Sequence, residues 1–253
     1  MSLGPEVLLL ALLVCMGAAL VHGAFGLGFP MVATPLLALM FDVKTAILLT
    51  LAPNILVNLW SLIHGGDCWQ TIKQYWYIAA VMIVGSAIGT TLLVVLDPNP
   101  FRLLLAASIV FYLVSDRLSR LNLSILSRKR HQSGIWIGLS GGLLGGTVNV
   151  GAPPLMIYFL ELGVKPLVLV QAINLCFLAG KSTQIMTFAA LGYLSTDLIL
   201  WSIPLAIVAM GGLSLGMKLR QRFDASQYRR MLRLLLWLLA ALLVSQFTFV
   251  IIT

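Results

Sequence analysis

The sequence predicts an all-helical, polytopic membrane protein made of two inverted-topology repeats, and three observations carry that prediction. The first is composition. Of 253 residues, 60% are hydrophobic and only 9% are charged, and the mean hydropathy is +1.02. A soluble domain carries about 25% charged residues, so this chain has too little polar surface to face water. The second is an internal duplication. Gly85, Gly89, Asp97 and Arg102 recur 127 residues later as Gly212, Gly216, Asp224 and Arg229. Gly23, Gly26 and Pro35 recur 119 residues later as Gly142, Gly145 and Pro154, while Lys44 pairs with Lys165 and Asn54 with Asn174. The third is a short apolar segment after a glycine-rich break at an equivalent place in each half. Paired interrupted segments of this kind mark secondary transporters whose substrate site lies where the repeats meet.

A membrane helix needs roughly 20 apolar residues. The first half supplies segments near 6–22, 30–41, 43–63, 75–96 and 101–115. The opening segment has Glu6 as its only charge and lacks a basic leader, so it reads as a retained span. The second segment follows GAFGLGFP (23–30) and reaches barely half of the hydrocarbon core at about 1.5 Å per residue. The third carries Asn54 and Asn58. The fourth opens among Trp69, Tyr75, Trp76 and Tyr77, an interfacial belt. The second half repeats the plan near 134–149, 152–162, 166–191, 198–217 and 231–252, with GGLLGGTVNVGAPP (141–154) ahead of its short segment. The expected organisation is a first repeat at 1–116, a basic linker at 117–132 and a second, inverted repeat at 133–253.

Charge orients the chain. Five of the sixteen Lys and Arg residues lie between Arg117 and Arg130, and six between Lys218 and Arg233. Such clusters mark cytoplasmic loops, and they also attract anionic lipid headgroups. Their position beside spans argues against nucleic acid. The loop DPNPFR (97–102) has one Arg, lies a single span from the first basic loop and falls outside. Its counterpart at 224–229 falls inside, hence the inversion. The expected location is the inner (plasma) membrane with basic loops cytoplasmic.

Non-helical backbone is tolerated at membrane depth only where it faces protein or a wet cavity. The two breaks therefore nominate Gly26, Gly28, Gly145 and Gly146, with Thr147 and Asn149 as added donors, as an anion site at the N-termini of the short helices. Close helix packing is the competing use of the same glycines. Lys181 lies within an apolar run, and all eight acids read as loop or span-end residues. A lysine inside the membrane faces a partner, a wet path or the interface; with no carboxylate to pair with, it suits an anionic substrate, unless it snorkels. Asn54, Gln171 and Asn174 serve equally as ligand contacts or as glue between helices. His22, beside the first break, is a proton-relay candidate or a structural histidine. Gly85-x-x-x-Gly89 and Gly212-x-x-x-Gly216 fit close packing.

No cofactor, metal site or enzyme constellation emerges. The three cysteines and three histidines are dispersed, and no phosphate-binding GxxxxGK[ST] occurs, so any driving force comes from gradients. At this point GAFGLGFPMVATPLL, GGLLGGTVNVGAPPLMIYFL and QAINLCFLAGKSTQ resemble the TauE/SafE family of sulfite exporters, over essentially the whole chain. The resemblance implies a multi-pass transporter that moves sulfite or a related organosulfonate, commonly outward. The expected mechanism is alternating access by one repeat rocking against the other. A passive anion or solute channel, or a non-transporting assembly partner, are the rival readings, and a homo-oligomer is compatible with all three.

Overall fold

The computed structural model describes residues 4–97, 99–118, 124–220 and 225–252, and all regular structure among them is helical. The expected linker and the basic loop around Asp224 lie partly outside these residues. The helices run α1 (Pro5–Phe25), α2 (Phe29–Ala38), α3 (Val43–His64), α4 (Cys68–Val95) and α5 (Asn99–Leu118). A short α6 (Ser124–Arg128) leads into α7 (Arg130–Val148), α8 (Ala152–Glu161), α9 (Pro166–Ala190), α10 (Thr196–Leu219) and α11 (Ala225–Ile252). The order of one long helix, one 10-residue helix and three long helices thus occurs twice. Among the described residues five helices (α1, α3, α4, α9 and α10) are long and apolar enough to cross a membrane.

Local chemistry sets the ends. Asp42 caps α3, its Oδ1 accepting from the Thr45 N–H at 3.0 Å, and Asp67 caps α4 by accepting from Gln70 N–H at 2.9 Å. The second cap explains why α4 starts before residue 75, where hydropathy alone would begin it. Pro30, Pro153 and Pro166 sit in first turns, where a missing N–H costs nothing. Replacing Asp42 by Ala should remove about 1 kcal/mol of stability, read as a lower unfolding midpoint in detergent.

Burial differs from that of a soluble protein in its apolar exterior and its buried amides. Thr34, Thr50, Asn54, Asn58, Gln171, Asn174, Lys181 and Gln184 are buried, whereas Val95, Trp136, Met186 and Ile207 are exposed. An exterior of large apolar side chains around a mostly apolar core that also holds these amides is the distribution lipid permits.

Two glycine-lined helix pairs join the halves. On α4, a Cβ at Gly85 would run into the carbonyl oxygen of Leu139 and one at Gly89 into that of Leu143. On α7, Gly142 and Gly146 approach Met82 O and Ser86 O, each 2.5 Å from where a Cβ would stand. On α10, Gly212 and Gly216 meet the carbonyls of Met16 and Leu20, while Gly23 of α1 meets Leu213 O and Met217 N. In both pairs the contact positions advance together, so α4 runs parallel to α7 and α1 parallel to α10.

This packing corrects the register of the repeat. Met16 and Leu20 stand to Leu139 and Leu143 at a spacing of 123, just as Gly85 and Gly89 stand to Gly212 and Gly216 at 127. Gly23 therefore corresponds to Gly146, not to Gly142. Within the run Gly141, Gly142, Gly145, Gly146, both Gly23 and Gly26 meet glycine only at an offset of 119, whereas the offset of 123 places Gly26 on Asn149, the left-handed cap of α7.

Candidate functional site

Both breaks are tight left-handed caps. Helix α1 ends at Gly26 (φ 78°), whose N–H donates to His22 O at 2.6 Å, and Gly28 (φ 115°) leads into α2. Helix α7 ends at Asn149, which at φ 64° is the one non-glycine with positive φ among the described residues. Asparagine tolerates that conformation better than most residues, and here its amide is put to use. Nδ2 donates to Thr34 Oγ1 at 2.6 Å and to Thr50 Oγ1 at 3.2 Å, and Oδ1 accepts from Asn54 Nδ2 at 3.5 Å. The second break thus reaches across the repeat boundary into α2 and α3.

The polar face of α3 continues from there. Asn58 Nδ2 donates to Asn54 Oδ1 at 2.6 Å and to Asn54 O at 2.7 Å. Ser61, three residues on, is hydrogen-bonded to His22 Nε2 at 3.0 Å, while the Phe29 N–H points at His22 Nδ1 from 3.4 Å. Thr50, Asn54, Asn58 and Ser61 form one stripe, about 16 Å long at 1.5 Å per residue. It links the first break at its Ser61 end to the second at its Thr50 end.

Helix α9 closes the other side. Asn174 Nδ2 donates to Gly26 O at 2.9 Å and to Val170 O at 2.8 Å. Gln171 donates to Leu62 O at 3.0 Å and accepts from Thr71 Oγ1 at 3.1 Å. Lys181, buried, donates to Gly145 O at 2.9 Å and to Gln184 Oε1 at 2.6 Å; Gln184 Nε2 donates to Gly146 O at 2.8 Å. The lysine therefore does not snorkel. It sits at the C-terminal end of α7, where partial negative charge accumulates.

The geometry redistributes the expected roles. Gly145, Gly146 and Thr147 lie within the last turn of α7, not in open loop, and Thr147 Oγ1 donates back to Leu143 O at 2.8 Å. Their carbonyls, not their N–H groups, meet side chains. Pro30 in α2, and Pro153 and Pro154 in α8, bring no N–H to the short-helix termini. Anion contact through backbone donors is left to Gly28, Met31, Gly151 and Ala152, which shifts the weight of recognition to side chains.

The family model described as sulfite exporter TauE/SafE matches residues 10–243. The chain belongs to this family. No curated protein and no solved structure gave a match. As a TauE/SafE member the protein is a multi-pass membrane exporter of the sulfite, sulfur-anion class and not an enzyme.

Sequence reasoning missed several polar residues that the fold gathers around the candidate site of this TauE/SafE member: Thr34, Thr50, Ser61 and Thr71. Hydroxyls are common in membrane helices and bond their own backbone, so singly they carry no signal. The spacing of Thr50, Asn54, Asn58 and Ser61 at steps of four, four and three residues was the available clue. Asn149→Gly would keep the left-handed cap but strip the amide from Thr34, Thr50 and Asn54. Transport should fall about tenfold and stability by about 1–3 kcal/mol, measured as initial flux and unfolding midpoint.

Proposed function

We propose that this exporter moves sulfite or a small organosulfonate across the plasma membrane by alternating access. The observation that carries the reading is the reach of each break into the opposite half. Asn149 holds Thr34, Thr50 and Asn54, and Asn174 holds Gly26 O, within a lipid-facing apolar shell. Gly26, Gly28, Asn54, Thr147, Asn149, Gln171, Asn174 and Lys181 are the residues we assign to the substrate path, with the Gly145 and Gly146 carbonyls fixing the lysine. His22 is its proton-relay candidate.

The helix directions support inverted halves, residues 1–116 and 133–253, joined by the basic linker at 117–132. Helix α4 runs with α7 and also with α9, since Thr71 meets Gln171 and Ser86 meets Gly180 O. Helix α9 opposes α3, since Gln171 meets Leu62 while Ile185 shares a groove with Ala52 and Ile55. The turn at 191–195 reverses α9 into α10, which runs with α1. Helix α1 then opposes α7, and α3 opposes α9. Basic loops on the cytoplasmic face complete the orientation.

The moving bodies differ from the sequence halves. Backbone-to-backbone glycine contacts fuse α1 to α10 and α4 to α7, so neither half can rock as a unit without prying these pairs apart. Between a body of α1, α3 and α10 and a body of α4, α7 and α9, the hydrogen bonds among the described residues come from side chains, those of Asn149, Asn174 and Gln171, beside apolar packing of α3 on α9. Hydrogen bonds worth about 1 kcal/mol each are suitable for making and breaking in a cycle.

The test is flux in proteoliposomes holding the purified protein, offered sulfite, sulfoacetate, sulfate, thiosulfate and a carboxylate, each with and without a pH gradient. Saturable movement of one sulfur anion with counterflow is expected. Flux without counterflow or saturation would indicate a channel, and no flux from folded protein would remove the substrate class.

A further inference from the structure

We propose that the end of α1 carries a site for a monovalent alkali cation, bridging the two bodies. Two buried side-chain oxygens, Asn58 Oδ1 on α3 and Asn174 Oδ1 on α9, have no hydrogen-bond partner, and both residues are 0% exposed. Their orientation is fixed. Asn58 Nδ2 faces Asn54 O, and Asn174 Nδ2 faces the carbonyls of Gly26 and Val170. Turning either amide over would set oxygen against carbonyl oxygen. The orphans are therefore acceptors, and a buried acceptor left without a partner is destabilising.

Each residue connects to the end of α1. Asn174 holds the carbonyl of Gly26, the cap of α1, and Gly26 N–H is tied to His22 O. Asn58 lies one turn before Ser61, which holds the His22 ring. The C-terminal end of α1 adds partial negative charge. Amide oxygens and a helix C-terminus disfavour an anion and accept a cation or a donor, and the Ser61 hydroxyl can turn its oxygen to a cation. Two of the nearby donors are already spent, Asn174 Nδ2 on two carbonyls and the Phe29 N–H on His22; the His22 ring and the Ser61 hydroxyl are the competing donors, which the pH series tests.

Neutral oxygens choose the kind of cation. Among the described residues no group of three His, Cys, Asp or Glu gathers anywhere. A divalent ion would be buried without a compensating carboxylate, whereas a single charge is tolerated by carbonyl and amide oxygens beside a helix C-terminus. Asn58 belongs to one body and Asn174 to the other, so an ion between them would favour one arrangement of the two and offset the charge of the exported anion. This site rests on the two-body reading above.

The experiment is thermal unfolding of the full-length protein in detergent, titrated with NaCl, LiCl, KCl or choline chloride at constant ionic strength and at several pH values. One alkali cation is expected to raise the unfolding temperature saturably, with choline inert. In Asn174→Leu and Asn58→Leu the apparent affinity should weaken by at least about tenfold. Equal curves for all four salts, or stabilisation that follows pH alone, would overturn the site. Because the readout is binding, the outcome stands apart from the sulfur-anion reading: anion flux indifferent to a cation gradient would spare that reading and sink this one. Cation-dependent stabilisation without anion flux would do the reverse.

Discussion

Replacing Lys181 by Met should cut saturable anion transport, lowering kcat/KM about 10- to 100-fold, while leaving a folded protein. The ammonium carries three protons, and Gly145 O and Gln184 Oε1 take two of them. The third is free to meet an anion. The C-terminal end of α7 offsets part of the charge of the ammonium form, roughly half an elementary unit. A hydrogen bond to a charged group contributes about 1.5–3 kcal/mol, and each 1.4 kcal/mol is about tenfold. The fold should survive because Gln184 Nε2 keeps its bond to Gly146 O and still ties α9 to α7. The check is concentration-dependent flux beside a monodispersity measurement. Wild-type saturation by the Met variant would remove Lys181 from the substrate path.

Composition and duplication made the helical membrane architecture legible, because apolar length and glycine spacing are local properties of the chain. The short helices were legible for the same reason: the breaks before Phe29 and Ala152 are written in glycine and proline. Lys181 stood out because a charge in an apolar run is conspicuous. Its partners did not. Backbone carbonyls at Gly145 and Gly146 carry no sequence signature, and a lysine satisfied by them reads as unpaired. The repeat register failed because Gly142 and Gly145 copy the spacing of Gly23 and Gly26, while the cap equivalent to Gly26 is an asparagine, Asn149, and only close contacts show it. Thr34 and Ser61 became meaningful only once Asn149 and His22 were seen beside them, at 115 and 39 residues of separation.

Gly212→Ala and Gly211→Ala, neighbours on one helix, should behave oppositely. A Cβ on Gly212 would run into the carbonyl of Met16, whereas one on Gly211 meets nothing within 4 Å. Overpacking of a tight core costs about 1–3 kcal/mol, and here the obstacle is backbone, which cannot rotate away. Only separation of α10 from α1 relieves it. Gly211→Ala adds helix propensity at an open position and should be neutral or slightly stabilising, within about 1 kcal/mol. The same contrast must hold in the other pair, since Gly85 stands against Leu139 as Gly212 stands against Met16. Unfolding midpoints of Gly85→Ala and Gly212→Ala should fall together. If α1–α10 and α4–α7 are rigid pairs within the moving bodies, both variants should lose transport in proportion to stability. A variant that kept its midpoint but lost flux would mean that the glycine contacts slide during the cycle, and the bodies would have to be redrawn as the two halves of the sequence.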